Sequence, residues 1–145
     1  MKGSYILLIK MPEPEELAIG SLGLVNLPGR YYAYVGSAMA GFKPRLNRHL
    51  RQEKDPKWHI DYLVQVAPVS GIILCESAER TECSIAQALA PRFEVVDGFG
   101  SSDCDCSGHL FYDDMEMDQP ILRILRWMGL KPRLLDDLGR VREYY

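Results

Sequence analysis

The sequence predicts an α/β (α+β) domain with a small, mostly antiparallel central sheet flanked by helices. Three observations lead there. Segments rich in aromatic and branched apolar residues alternate with segments whose apolar residues recur at helical spacing. A hairpin-like stretch lies early in the chain. No internal repeat and no long linker divides the 145 residues, a length that suits one domain with a full-sized core.

The elements follow in order. Residues 4–11, Ser-Tyr-Ile-Leu-Leu-Ile-Lys-Met, are β-prone, and Pro12 ends them. Pro12 to Glu16 reads as a loop. Residues 17–27 mix Leu, Ile and Val with Gly20 and Gly23, which suits a short irregular hairpin, and Pro28-Gly29 is a turn signal. Tyr31 to Val35 is the clearest strand, because aromatic side chains suit a pleated, half-buried surface. Gly36-Ser37-Ala38 is expected to end it. A helix is expected from Phe42 to Gln52, with Pro44 tolerated in the first turn and Phe42, Leu46 and Leu50 forming a buried stripe. Further helices are expected over Trp58–Val66, Arg80–Ala90 and Gln119–Met128. Strands are expected at Ser70–Cys75, Phe93–Val96 and His109–Tyr112. The domain is drawn over residues 1–130. Residues 131–145 are left as a C-terminal extension, in which Leu134, Leu135, Leu138 and Val141 either pack on the domain or contact a second copy or a partner protein.

Apolar residues make up 47% of the chain, too many for a disordered one. The net charge of −3 argues against an all-over basic nucleic-acid binder. The charge is uneven, however. From Lys43 to Lys57 stand Lys43, Arg45, Arg48, Arg51, Lys54 and Lys57 against Glu53 and Asp55, six basic residues against two acidic, a local excess of +4. A nucleic-acid surface needs such a patch rather than a basic protein; a solvated helix face has the same composition. No signal peptide and no apolar run long enough for a membrane span is visible. Four cysteines, Cys75, Cys83, Cys104 and Cys106, are too few and too irregularly spaced for a secreted disulfide scaffold. The expected location is cytoplasmic, with reduced thiols.

Several chemistry-bearing residues fall in a suggestive order. Gly3-Ser4-Tyr5 opens the first strand and Tyr34-Val35-Gly36-Ser37 closes the second. Phe42-x-x-Arg45-x-x-x-His49 follows on a helix, and Glu82 opens a later one. This order resembles the GIY-YIG nuclease superfamily, in particular its small stand-alone Uri-type branch. Trp58-His59-Ile60-Asp61-Tyr62 and the segment from Gly100 to Tyr112 fit that branch as well. The chain departs from the pattern in reading Gly-Ser-Tyr, and in placing about 28 residues between Tyr5 and Tyr34, an excess assigned to residues 12–30.

The resemblance implies a metal-dependent endonuclease, with DNA the expected polymer and DNA repair one expected setting. Tyr5 would help deprotonate water, Tyr34 and Arg45 would hold the phosphate, and His49 would shuttle a proton or bind phosphate. One Mg²⁺ or Mn²⁺ ion would sit on Glu82, with Glu79 the fallback ligand; one carboxylate plus waters and substrate phosphate is how Mg²⁺ is commonly held. Lys43, Arg48 and Arg51 would contact nucleic acid.

The residues carry their own arguments beside this. Tyr5 alternates in phase with Leu7 and Ile9, so a core tyrosine is the plain alternative. A phenol with a pKa of roughly 10 is a poor base unless a cation such as Arg45 or a metal lowers it. Gly36 would let a phosphate approach the backbone. Arg45 and His49, four apart, share a helix face that borders the apolar stripe. Glu82 falls on the apolar face of Ile85, Ala86 and Leu89, an unusual place for a carboxylate unless it is paired or metal-bound.

Cys104-x-Cys106-x-x-His109 holds soft-metal ligand types, although zinc sites usually show Cys-x₂₋₄-Cys. Cys83, His59 or Asp103 would have to supply a fourth ligand to structural Zn²⁺; the plainer reading is a tight turn packed on the core. His59 and Asp61 are expected to support the site or this loop. Two other functions remain open: a non-catalytic nucleic-acid-binding module on the same fold, and a small zinc-stabilised interaction domain.

Overall fold

The computed structural model describes residues 1–51, 55–101 and 104–138. Lys54, Asp103, Val141 and the expected helix end at Gln52 lie outside them. The fold is mixed α+β. Among the described residues there are a six-stranded antiparallel sheet, a separate two-stranded hairpin and four α-helices.

In chain order the elements are β1 (Gly3–Lys10), β2 (Glu15–Ala18), β3 (Leu24–Leu27), β4 (Tyr31–Ala38), α1 (Phe42–Leu50), α2 (His59–Val64), β5 (Val69–Glu76), α3 (Glu82–Leu89), β6 (Glu94–Val95), β7 (Leu110–Asp113), α4 (Asp118–Trp127) and β8 (Arg133–Leu135). The large sheet runs β6-β7-β4-β1-β5-β8, and β2 pairs with β3 on its own. The expected hairpin at 17–27 is therefore present, starting two residues early at Glu15.

Alternation along β1 divides the sheet into two faces. Tyr5, Leu7 and Ile9 join Tyr32, Phe42, Leu46, Ile60 and Leu63, so α1 and α2 cover one face. Ile6 joins Ala33, Val35, Ile73 and Phe111 with Ile85, Leu89, Ile121 and Leu125, so α3 and α4 cover the other. The result is a helix–sheet–helix sandwich. Each fully buried Leu, Ile or Phe stabilises it by about 1.5–3 kcal/mol relative to exposure.

Three expectations need correction. Gly36-Ser37-Ala38 does not end β4, because these residues pair with Tyr5, Ser4 and Gly3 of β1 and so extend the ladder. The first helix ends at Leu50, and its buried stripe is Phe42, Leu46 and His49 rather than Phe42, Leu46 and Leu50. The sheet reaches past the boundary drawn at residue 130: Arg133–Leu135 pairs with Ile72–Leu74 as an outer strand and buries Leu135, the packing alternative given for it. No helix among the described residues is long and apolar enough to cross a membrane.

Candidate functional site

A cleft of about 490 Å³ opens where β4, α1, the start of α2 and the start of α3 meet. Tyr34 and Ser37 of β4 form its floor, and Arg45 of α1 reaches it from one side. Lys57, Trp58 and His59 come from the entry to α2, Arg80 and Glu82 from the entry to α3, and Gly100 from a loop. Among the described residues its lining holds three cations against one carboxylate.

The entry to α2 is built around Asp61. This fully buried carboxylate accepts hydrogen bonds through Oδ2 from the Lys57 N–H at 2.8 Å, the Trp58 N–H at 2.9 Å and Arg48 Nη2 at 2.6 Å. Burial alone would push its carboxyl up. The Trp58 and Lys57 amides and the Arg48 guanidinium outweigh that and hold it below the ordinary carboxylate range. Trp58 is thereby fixed, and the Arg45 and Arg48 guanidiniums lie 4.5 and 4.6 Å from its ring centroid. Arg48 is thus engaged with Asp61 and Trp58, not simply turned to solvent.

Beneath the floor lies the pair Tyr5–His49. The Tyr5 hydroxyl and His49 Nε2 are 2.6 Å apart, and both side chains are buried. Burial drives the Tyr5 hydroxyl well above its ordinary pKa, although Arg45 opposes it. Tyr34 is raised as well, first by burial and then by Tyr5 and Glu82. The cation nearby does not overcome desolvation, so both phenols are held as neutral donors. The neutral Tyr5 hydroxyl is hydrogen-bonded to the histidine ring, with the donor set by the ring's tautomer.

The Tyr5 ring also explains Gly36. The two residues are cross-strand partners, and a Cβ at Gly36 would lie 2.8 Å from Tyr5 Cε2 and closer still to the phenol end. The space expected to admit a phosphate is filled by the tyrosine.

Glu82 is set by the other layer. Ser4 Oγ of β1 is 2.7 Å from Thr81 Oγ1, which ties the first residue before α3 to the sheet. Ile85, Ala86 and Leu89 are buried as expected, and Glu82, with its side chain 23% exposed, reaches the cleft at the helix start. Its oxygens lie 3.5 Å from Arg80 Nη1 and 3.9 Å from His109 Nδ1. Glu79 is exposed and does not line the cleft.

Opposite Glu82, the Gly100 N–H donates to His59 Nδ1 at 2.9 Å, and His59 packs on Phe99 at 5.6 Å between ring centroids. Gly100 sits at φ +71°, where a side chain would be strained, and its Cβ would press on Tyr34 at 3.0 Å. Burial lowers the His59 pKa, which matches a ring that accepts at Nδ1.

The structure therefore brings Tyr34, Arg45, Glu82 and His59 to one cleft, with Tyr5, His49 and Asp61 directly behind. Lys43 and Arg51 are exposed and lie outside it. Cys104, Cys106 and His109 gather with Cys83 next to Glu82, their ligand atoms within 4.8 Å of one another. Burial first, then Cys106 and Cys104, push the Cys83 thiol up to about 12. His59 takes no part in that cluster. Ser37, Lys57, Trp58 and Arg80 were not singled out from sequence. Only Lys57, in the basic run, and Trp58, beside His59, carried any signal.

A family model matches residues 4–129. The chain belongs to that family, described as a domain of unknown function, DUF123. No curated protein and no solved structure matches it. The GIY-YIG resemblance is thereby overturned, since the match over residues 4–129 is to DUF123 and no GIY-YIG model matches. Its motifs were short, and at least one, Gly36, is accounted for by packing against Tyr5.

Proposed function

We propose that the cleft binds and hydrolyses a phosphodiester of nucleic acid, with DNA the expected polymer. The observation that supports this most is a single carboxylate, Glu82, among Arg45, Lys57 and Arg80. Three cations suit a polyanionic backbone, but Glu82 would repel it. A divalent cation between Glu82 and the phosphate turns that repulsion into attraction.

The donor set fits Mg²⁺ or Mn²⁺: one partly exposed carboxylate, with the remaining positions left to water and phosphate oxygens. When bound, the ion would supply charge neutralisation at the leaving oxygen. Arg45 would hold a non-bridging phosphate oxygen through its guanidinium fork. Tyr34, a neutral phenol on the floor, would donate a hydrogen bond to the same phosphate. Ser37 Oγ, buried on that floor with no hydrogen-bond partner among the described residues, offers another contact. Tyr5 and His49 would act from behind, His49 accepting the Tyr5 proton as charge develops above. Lys57 and Arg80 would take flanking phosphates, and Trp58 offers a ring on which a base can stack.

A second reading, a non-catalytic nucleic-acid-binding module, draws on the same cations and on the phenols that burial keeps protonated. One experiment separates the two. Labelled single-stranded, double-stranded and branched DNA and RNA are incubated with Mg²⁺, Mn²⁺ or EDTA and either wild type or Glu82→Ala. Metal-dependent cutting lost in the variant supports hydrolysis. Binding without cutting, and tighter binding by Glu82→Ala in EDTA, identifies the binding module instead.

A further inference from the structure

Next to the cleft, four soft-metal ligands converge from separate parts of the chain. Cys83 comes from the first turn of α3, Cys104 and Cys106 from the loop before β7, and His109 from the residue that precedes β7. His109 Nε2 stands 3.5 Å from Cys104 Sγ and 4.0 Å from Cys83 Sγ. A tetrahedral zinc ion with usual bond lengths separates its sulfur and nitrogen ligands by about 3.6 Å, and two sulfurs by about 3.8 Å. All four ligand atoms already lie within 4.8 Å of one another.

The surroundings argue against a plain packed turn. His109 is 2% exposed, and among the described residues its Nε2 meets thiol sulfurs, which are weak hydrogen-bond partners. A buried imidazole nitrogen whose recorded partners are two thiols is poorly satisfied by them alone. The backbone is held to present it: the His109 N–H donates to Phe99 O at 2.7 Å, and the Val35 N–H donates to His109 O at 2.9 Å. On the far side of the ring, Nδ1 faces the Glu82 carboxylate at 3.9 Å. A carboxylate on the outer nitrogen is the usual companion of a metal-binding histidine, since it fixes which nitrogen is left to ligate.

We propose that Cys83, Cys104, Cys106 and His109 form a closed Cys₃His zinc site that staples the 104–109 segment to the start of α3. Binding converts three thiols to thiolates, releases three protons and leaves the centre with one net negative charge; nothing is oxidised or reduced. All four positions are protein ligands, so no water is activated there and the ion is structural. The staple reaches the cleft because the His109 N–H is bonded to Phe99, next to Gly100, and Glu82 is the residue before Cys83. It does not depend on what the cleft does.

The test uses the full chain, purified without a polyhistidine tag or chelator. Elemental analysis is expected to find about one zinc per chain, lost in Cys104→Ser and His109→Gln and kept in Cys75→Ser, whose thiol is outside the cluster. Should a variant fail to fold, Co²⁺ exchange into wild type gives an independent reading, with thiolate charge-transfer and tetrahedral visible bands expected. Zinc absent from folded wild type with its cluster thiols freely reactive, a disulfide among Cys83, Cys104 and Cys106, or iron in place of zinc would each overturn the proposal. None of these readouts involves cleavage, so zinc binding without nuclease activity sinks the proposed function and leaves the staple standing.

Discussion

Glu82 and Cys83 are adjacent in the chain, yet they face two different chemistries. Glu82 turns to an open cleft with Arg45, Lys57 and Arg80, hard charged groups that water reaches. Cys83 turns to a compact set of two further thiols and a nearly buried imidazole. One helix start, pinned to the sheet through Thr81 and Ser4, serves both. The difference shows how a single anchored turn can divide its side chains between an exchangeable ionic site and a closed soft one. Successive helix residues point about 100° apart, which is enough to separate them.

The largest expected effect tests whether the two regions are independent. Asp61→Ala removes a buried carboxylate that holds Arg48 and two backbone amides on the cleft side. Breaking such a pair leaves the cation and the amides uncompensated and is expected to cost about 3–5 kcal/mol. Urea denaturation would measure the loss, while elemental analysis of the folded fraction should still find zinc. Zinc lost in parallel would mean that the regions are one cooperative unit. The wild-type carboxyl is held low, so its stabilisation is present above the unfolded pKa of about 3.9 and is lost as pH falls through the lower folded value.

Next comes Glu82→Ala. With the proposed ligand gone, cutting should fall by about 10²–10³-fold, as when one preorganised charge-stabilising group is removed. The zinc equivalent should remain, because Glu82 only faces the outer nitrogen of His109. Cys104→Ser should give the opposite profile in metal content. A Glu82→Ala protein that cuts at the wild-type rate would remove the carboxylate from the reaction.

The two regions were unequally legible in the sequence. Alternation along residues 4–11 and the apolar spacing of Ile85, Ala86 and Leu89 follow from local geometry, and the structure has them. The cleft was half visible: Arg45 and Glu82 announced themselves as charges beside apolar stripes, whereas Arg80 and Ser37 had no periodic signal. Burial of His49 was not readable, because nothing local to α1 shows that Tyr5 of β1 waits 2.6 Å away. Cys83 stood among three candidate fourth ligands, with His59 and Asp103, and nothing local chose it. Cys104-x-Cys106 is poor spacing for zinc by itself, and only the fold carries Cys83 across to it. Strand β8 escaped for the same reason, since three residues of edge strand are defined by the partner β5 rather than by their own pattern. Gly36 was noticed but assigned the wrong neighbour.

Gly36→Ala sharpens that last point with a smaller expected effect. The new methyl must displace the Tyr5 phenol, and overpacking of this kind costs about 1–3 kcal/mol. Because Tyr5 and His49 move together, activity should fall further than stability predicts. Metal content should be untouched, since the Tyr5 hydroxyl and ring engage His49 and none of the four proposed ligands. A variant with wild-type stability would show that the Tyr5 ring can shift freely, and the rigid pair beneath the cleft would have to be abandoned.

The smallest effect concerns the latch between the two regions. His59 Nδ1 accepts from the Gly100 N–H, so the latch requires a neutral ring, and burial lowers the ring's pKa in the folded chain. Between the lowered folded value and the unfolded value of about 6.5, the unfolded chain binds more protons. Stability from this contact is therefore complete above about pH 6.5 and declines as pH falls towards the folded value. One proton is involved, so the slope cannot exceed about 1.4 kcal/mol per pH unit. His59→Asn places an amide oxygen near the accepting position without a titrating group. Stability measured from pH 5 to 8 should lose this slope in the variant and keep it in wild type. A slope that survives His59→Asn would place the pH sensitivity outside the latch.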